Sequence, residues 1–293
     1  MKHIALDTDI GPDCDDAGAL ALLNLLQDAG LCRIEAVTNC TSNPYGAGCA
    51  DAIDRWYGHG EIPVGAYDRP GFLEDCTKYN RYICEHYDNR YRDARPESAL
   101  RVLRRAFASA GEEGIVLCTI GQFNDAADLL RSGPDDLSPL SGMELVRQKG
   151  RGLVMMAGSE QFAEYNVACD VESARYVVEN WPGEMIFSPF EIGEGTMTGG
   201  FCEQLPGEHP VRKAYELYTG GGKRQSWDLT AAWTAVMGAE PLFCLSPTCR
   251  VTLDEKGVMQ VTEDPAGRCR ILRDVDKRRV EETFDRIIGE GRL

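Results

Sequence analysis

Apolar and polar positions along this chain fall into short continuous apolar runs that alternate with stretches of helical spacing. The runs at Lys2–Asp7, Ile34–Thr38, Ile62–Ala66, Gly114–Ile120, Gly152–Ala157 and Glu184–Ile192 predict strands. Between and after them the spacing predicts helices over Ala17–Gln27, Gly46–Tyr57, Ser98–Ala110, Asn124–Leu130, Glu172–Asn180, Val211–Tyr218 and Leu229–Met237. Gly114–Ile120 (GIVLCTI) has no polar position on alternate residues, the pattern of a strand covered on both faces. Such alternation predicts an α/β fold, an open, mostly parallel, Rossmann-like central sheet flanked by helices. Arg250–Leu272, turning at Glu255-Lys256-Gly257, predicts a small antiparallel C-terminal addition at a sheet edge. With no repeat, low-complexity tract or linker, residues 1–293 read as one domain.

In open sheets of this kind ligands sit beyond the C-terminal strand ends. Asp7, Asp9, Asn39, Asn43, Gln122, Asn124, the stretch Ser159–Asn166, Glu191 and Glu194 all follow predicted ends closely, and such a sheet would bring them together. The first end is the most informative. Residues 7–16 (DTDIGPDCDD) place five carboxylates in ten positions between an apolar strand and the apolar helix AGALALLNLL. Helix capping accounts for one or two of them. Five like charges repel unless a cation sits among them, and a hard divalent ion such as Ca²⁺ or Mg²⁺ matches an all-oxygen set.

Composition narrows the partners. The 293 residues carry 31 Lys plus Arg against 47 Asp plus Glu, a formal charge of −16, which repels nucleic acid and anionic membrane. No signal-like N-terminal run exists and no stretch approaches the ~18 apolar residues of a membrane span, so a soluble, cytoplasmic protein is expected. The 12 cysteines form no CxxC pair and read as reduced, small apolar residues.

At four places the chain resembles the nucleoside hydrolases, the calcium-dependent N-ribohydrolases. DTDIGPDCDD is similar to the family's DxDxGxDD run, lengthened before the final Asp pair. AVTNCTSN, ending at Asn43, resembles the segment that closes on a ribose-binding Asn. Ala163-Glu164-Tyr165-Asn166 with Asp170 resembles the sugar-gripping AEFN…D segment, and Ser226-Trp227-Asp228 the segment with the last metal-binding Asp. Four matches in the right order are specific. The resemblance implies hydrolysis of a small-molecule ribonucleoside to ribose and base, with Ca²⁺ as cofactor and a homo-oligomeric assembly, dimer or tetramer. It implies Ca²⁺ ligation by Asp9, Asp16, Asp228 and a carbonyl near Asn124. Asp9 would be the general base. Asp15 and Asn43 would bind the 2′- and 3′-hydroxyls, Glu164 and Asn166 the 3′ and 5′ side, and Tyr165 and Met156 would wall the ring.

Three departures bear on the base. Trp227 stands where one branch of the family has a proton-donating His; indole is no acid near neutral pH, and a Trp here implies stacking and a purine leaning. Gly121-Gln122-Phe123-Asn124-Asp125 replaces the usual GPLTN. Between Met156 and Glu164 only AGSEQFA remains, so 5′ contacts are lost or come from Glu191 or Glu194. Tyr67–Arg95 corresponds to the region that forms a lid in relatives, with Tyr79, Tyr82 and His86 as lid candidates and Tyr218, before Gly220-Gly221-Gly222, in a second gate. Two other readings compete. A haloacid-dehalogenase-type phosphatase would use Asp7 and Asp9 but needs a placed Lys. A family member that binds riboside and calcium without turnover would keep the acids.

Overall fold

The computed structural model describes residues 1–293 apart from the side chain of Asp274. The strands are β1 (Lys2–Thr8), β2 (Cys32–Asn39), β3 (Val64–Ala66), β4 (Glu97–Ser98), β5 (Ile115–Thr119), β6 (Gly150–Met156), β7 (Met185–Ser188), β8 (Met197–Thr198), β9 (Arg224–Gln225), β10 (Phe243–Leu245), β11 (Cys249–Leu253), β12 (Met259–Glu263) and β13 (Cys269–Val275). The helices are α1 (Asp15–Asp28), α2 (Gly46–Trp56), α3 (Tyr79–His86), α4 (Ala99–Ser109), α5 (Asn124–Arg131), α6 (Gly142–Lys149), α7 (Tyr165–Ala168), α8 (Val171–Asn180), α9 (Phe190–Glu194), α10 (Pro210–Thr219), α11 (Trp227–Met237) and α12 (Lys277–Glu290).

The main sheet runs β12-β11-β13-β7-β6-β5-β1-β2-β3-β4, with β10 paired to β13. From β13 to β4 all neighbours are parallel, and β11 and β12 form the antiparallel addition at one end. β1 sits centrally. Chain order moves outward from it through β2 and β3 on one side and through β5 to β7 on the other, so the switch point lies at the C-terminal ends of β1 and β5.

The continuous apolar strands are buried on both faces, as their sequence implied. Ile4 and Leu6 of β1 point into the core beneath α1, α10, α11 and α12, while Ala5 between them joins Leu117 and Phe107 in the core beneath α4, α5, α6 and α8. α1 is apolar almost all round because it is enclosed, with α11 packed along it.

The expected α/β architecture is present, with local differences. The strand anticipated through Ile192 stops at Ser188: Pro189 has no N–H for the ladder and caps α9 instead. α1 begins at Asp15, so the acidic pair occupies its first turn. α6 and α12 lie outside the anticipated elements. α6 opens on a capping box between Ser141 and Glu144. α12 buries Val280, Phe284, Ile287 and Ile288, a stripe at i, i+4, i+7 and i+8. Among the described residues no helix is long and apolar enough to cross a membrane.

Candidate active site

Beyond the switch point lies a cavity of about 670 Å³. Its floor comes from the loop after β1 and from the starts of α1 and α11, which supply Asp9, Asp13, Asp15, Asp16 and Asp228. Both helices direct their N-terminal dipoles at this acidic floor. Gly11, at φ 153°, lets the loop turn back towards α1; a Cβ there would stand 2.3 Å from Asn80 Nδ2.

Each acid has a distinct environment. Asp15, Asp16 and Asp228 each offer a buried carboxylate oxygen within 4.8 Å of the others. Asp15 Oδ2 accepts from the Asp228 N–H at 3.0 Å, tying the two helix starts together. Asp16 accepts from the Thr8 hydroxyl. Burial pushes all three carboxyls well up, with their acidic neighbours adding to the shift. Asp9 accepts from Gln122 Nε2 at 2.8 Å, and burial pushes it up to about 6. Of the five floor acids only Asp13 is ion-paired among the described residues, to Arg224. The other four buried acids, Asp9, Asp15, Asp16 and Asp228, have no basic side chain paired to them among the described residues, and such a set of oxygens fits a hard divalent ion in both charge and donor type.

The opposite wall is held by hydrogen bonds. Glu164 accepts from the N–H of Asn166 at 2.9 Å and of Gly158 at 3.2 Å, and burial pushes it up to about 7. Asn166 Nδ2 donates to the carbonyls of Ile120 and Met156, fixing the amide against β5 and β6. Gln122 also donates to Asn166 Oδ1 at 3.2 Å, so one side chain bridges Asp9 and this opposite wall. Met156 and Tyr165 line the same cavity, Tyr165 half exposed at the rim.

Aromatic rings close one end. Phe162 packs edge-on against Phe190 at 5.0 Å, and Phe190 lies 5.3 Å from Trp227 at 32°. The Trp227 indole N–H donates to the Phe190 carbonyl at 2.9 Å. Gly193 is required beneath it, since a Cβ there would come within 2.4 Å of Trp227. Tyr218, Arg224 and Lys78 also line the cavity.

The residues singled out from sequence therefore divide. Asp9, Asp15, Asp16, Asp228, Met156, Glu164, Tyr165, Asn166, Trp227 and Tyr218 line one cavity. Asn43 does not: its Nδ2 donates to Glu74 O and Thr77 Oγ1, fastening the 74–77 loop. Asn124 lies beneath, donating to Cys40 O, with its buried Oδ1 unpartnered. Tyr79 is fully buried, and Tyr82 stacks on His86 at 4.1 Å away from the cavity. Glu191 accepts from Ser159 instead, and its neighbour Phe190 faces the cavity. Asp7, a nucleophile in the phosphatase alternative, is fully buried with its oxygens taken by Thr38 and Thr119. Phe190, Arg224 and Lys78 are not signalled by the sequence, while Phe162 and Asp13 enter it only as members of the Ser159–Asn166 stretch and of the acidic run at 7–16.

The profile of the inosine-uridine preferring nucleoside hydrolases matches residues 4–282. No protein of curated function matches the chain in sequence. Among solved structures, the inosine-uridine preferring nucleoside hydrolase of Bacillus anthracis superposes with a TM-score of 0.74 at 18% identity, over 99% of this chain and 100% of that one. An inosine-guanosine nucleoside hydrolase gives 0.74 at 18% identity, over 99% and 98%. The type III effector XopQ, solved with adenosine diphosphate ribose, gives 0.76 at 15% identity, over 100% and 94%.

Proposed function

The chain belongs to the inosine-uridine preferring nucleoside hydrolase family, and from that premise we propose that it hydrolyses the N-glycosidic bond of ribonucleosides, purine nucleosides foremost, in a calcium-dependent reaction. One observation carries this reading: a floor of buried carboxylates with no cation among Asp9, Asp15, Asp16 and Asp228, facing a wall of aromatic rings. Asp15, Asp16 and Asp228, with Asp9 beside them, would hold the ion. When bound, Ca²⁺ supplies the charge that gathers the ribose diol and acidifies a water.

The protein's own groups do the rest. Asp9 takes the proton of the attacking water, and Gln122 fixes its carboxylate for that task. Asp15 receives a ribose hydroxyl, and Glu164 and Asn166 the far side of the sugar, all three already immobilised by the hydrogen bonds described above. The acidic surroundings favour the positive charge that develops at C1′ as the bond breaks. Trp227, Phe190 and Phe162 offer the base its apolar bed. A homo-oligomer, dimer or tetramer, is the assembly proposed.

Ribose release from inosine, guanosine, adenosine, uridine, cytidine and 2′-deoxyinosine tests the assignment. Purine ribosides are expected to exceed pyrimidine ribosides by about tenfold in kcat/KM, in line with the ~0.5–1.5 kcal/mol of an aromatic pair. The 2′-deoxy compound should fall about 100-fold or more below inosine, because it leaves buried polar partners unmatched. Equal turnover of inosine and 2′-deoxyinosine would remove the diol-gathering role of the acidic floor. Binding of ribosides without turnover would favour the alternative of a non-catalytic riboside-binding member.

A further inference from the structure

The acidic floor that favours charge at C1′ works against the other product. As the glycosidic bond breaks, its electron pair goes to the base, which departs as an anion in a cavity lined by six carboxylates, the five floor acids and Glu164. No His lines that cavity. The Trp227 N–H is occupied by the Phe190 carbonyl. Burial pushes the Tyr218 phenol up to about 12, making it a poorer acid still. The two cations of the lining are Lys78, which is exposed, and Arg224.

Arg224 is built into the site. β9 pairs antiparallel with β8 through Thr198 and Arg224, and Ser226 N–H donates to Thr196 O at 2.9 Å, so both ends of this segment are anchored. The guanidinium lies 5.2 Å from the Trp227 ring and 5.4 Å from that of Tyr218. Its Nε and Nη2 both donate to the Asp13 carboxylate, Nε at 2.9 Å. That pairing uses the side edge of the guanidinium and leaves the end fork, Nη1–H with the outer Nη2–H. Among the described residues Nη1 has no hydrogen-bond partner. Asp13 is not one of the three acids, Asp15, Asp16 and Asp228, whose oxygens lie within 4.8 Å of one another.

Resting on the hydrolase reading, we propose that Arg224 receives the leaving base, its free fork donating to the O6 and N7 edge of a 6-oxopurine, with Asp13 as the positioning residue that aims it. That edge carries two acceptors spaced for a guanidinium fork, whereas a 6-aminopurine offers a donor in place of O6. In the step the C1′–N9 bond breaks and its electron pair enters the imidazole ring of the base, where negative charge spreads to N7 and O6 against the guanidinium. The water oxygen bonds to C1′ and its proton passes to Asp9; the base anion then takes a proton from solvent and Asp9 returns one. Arg224 stays protonated throughout, stabilising charge without transferring a proton.

The test compares inosine, adenosine and a nitrophenyl β-riboside, whose leaving group needs no help, in the wild type and in Arg224→Gln, Arg224→Lys and Asp13→Asn, all loaded with Ca²⁺. Arg224→Gln should lower kcat for inosine about 100-fold, as loss of one donor to a developing anion does elsewhere, while the nitrophenyl riboside changes by less than about threefold. Arg224→Lys keeps the charge but not the fork, so it should erase a wild-type preference for inosine over adenosine of about tenfold. Asp13→Asn should show a smaller loss, again confined to the natural bases. An equal fall on all three substrates would overturn the proposal by assigning Arg224 to the fold or the sugar, and so would no fall on any. A wild type inactive on all three would instead sink the hydrolase reading on which the proposal rests.

Discussion

Asp9→Asn is expected to lower kcat for inosine about 1,000-fold, within the range a positioned general base contributes, while making the metal-free protein more stable at pH 8. The two effects have one cause. Asp9 is buried beside other acids and its carboxyl is pushed up to about 6, so its ionised form disfavours folding although catalysis requires it. Asparagine keeps the acceptor that Gln122 Nε2 uses and removes the charge. The gain corresponds to about 3 kcal/mol, or roughly 5 °C in Tm for a chain of this size. Steady-state kinetics with thermal melts in chelator check both arms. A kcat within tenfold of wild type would remove Asp9 as the base, and a lowered Tm would show that its charge is stabilising.

The metal-free protein as a whole should lose stability as pH rises, the reverse of ordinary acid denaturation. Burial raises the folded-state proton affinity of Asp7 to about 7 and of Asp9 to about 6, and raises Asp15, Asp16 and Asp228 as well, whereas in the unfolded chain all five titrate near the ordinary 3.8. A group whose affinity is higher folded than unfolded gives its full stabilisation below the unfolded value and loses it as pH climbs through the folded value. Stability should therefore be fully present below pH 3.8 as far as these groups go and decline across pH 4 to 7. Ca²⁺ replaces the protons that the ionised acids release, so its stabilisation should grow with pH: small at pH 5, and about 3 kcal/mol or more at pH 8 with calcium 100-fold above its Kd. Melting curves at both pH values, with calcium and with chelator, measure this. A calcium-induced shift in Tm that is the same at both would separate the acids from the ion.

Why some of this was legible in the sequence and some was not follows from distance along the chain. The acid-rich turn between β1 and α1 is local: strand, turn and helix start all fall within residues 2–28, and their spacing carries its own meaning. The apolar runs announced strands covered on both faces, and alternation with helices announced a parallel sheet. What depends on contacts far apart stayed hidden. Asp13 and Arg224 are 211 positions apart, and nothing in either segment names its partner. Phe190 was absorbed into an apolar run continuing Met185–Ser188, where Pro189 was the cue that the strand had ended. Asn43 matched a family segment, yet its amide holds the 74–77 loop. Tyr79 falls in the segment that corresponds to the lid of relatives, but it points inward on α3 and is buried. α12, by contrast, was readable: Val280, Phe284, Ile287 and Ile288 follow helical spacing within an otherwise charged segment.

The central claim is that the buried carboxylates Asp9, Asp15, Asp16 and Asp228 serve a divalent ion on which riboside hydrolysis depends. Ribose release from inosine by the chelator-treated protein, before and after return of Ca²⁺, tests it most directly. The prediction is loss of turnover by about 100-fold or more in chelator and full recovery with Ca²⁺. Turnover that persists unchanged in chelator would contradict it.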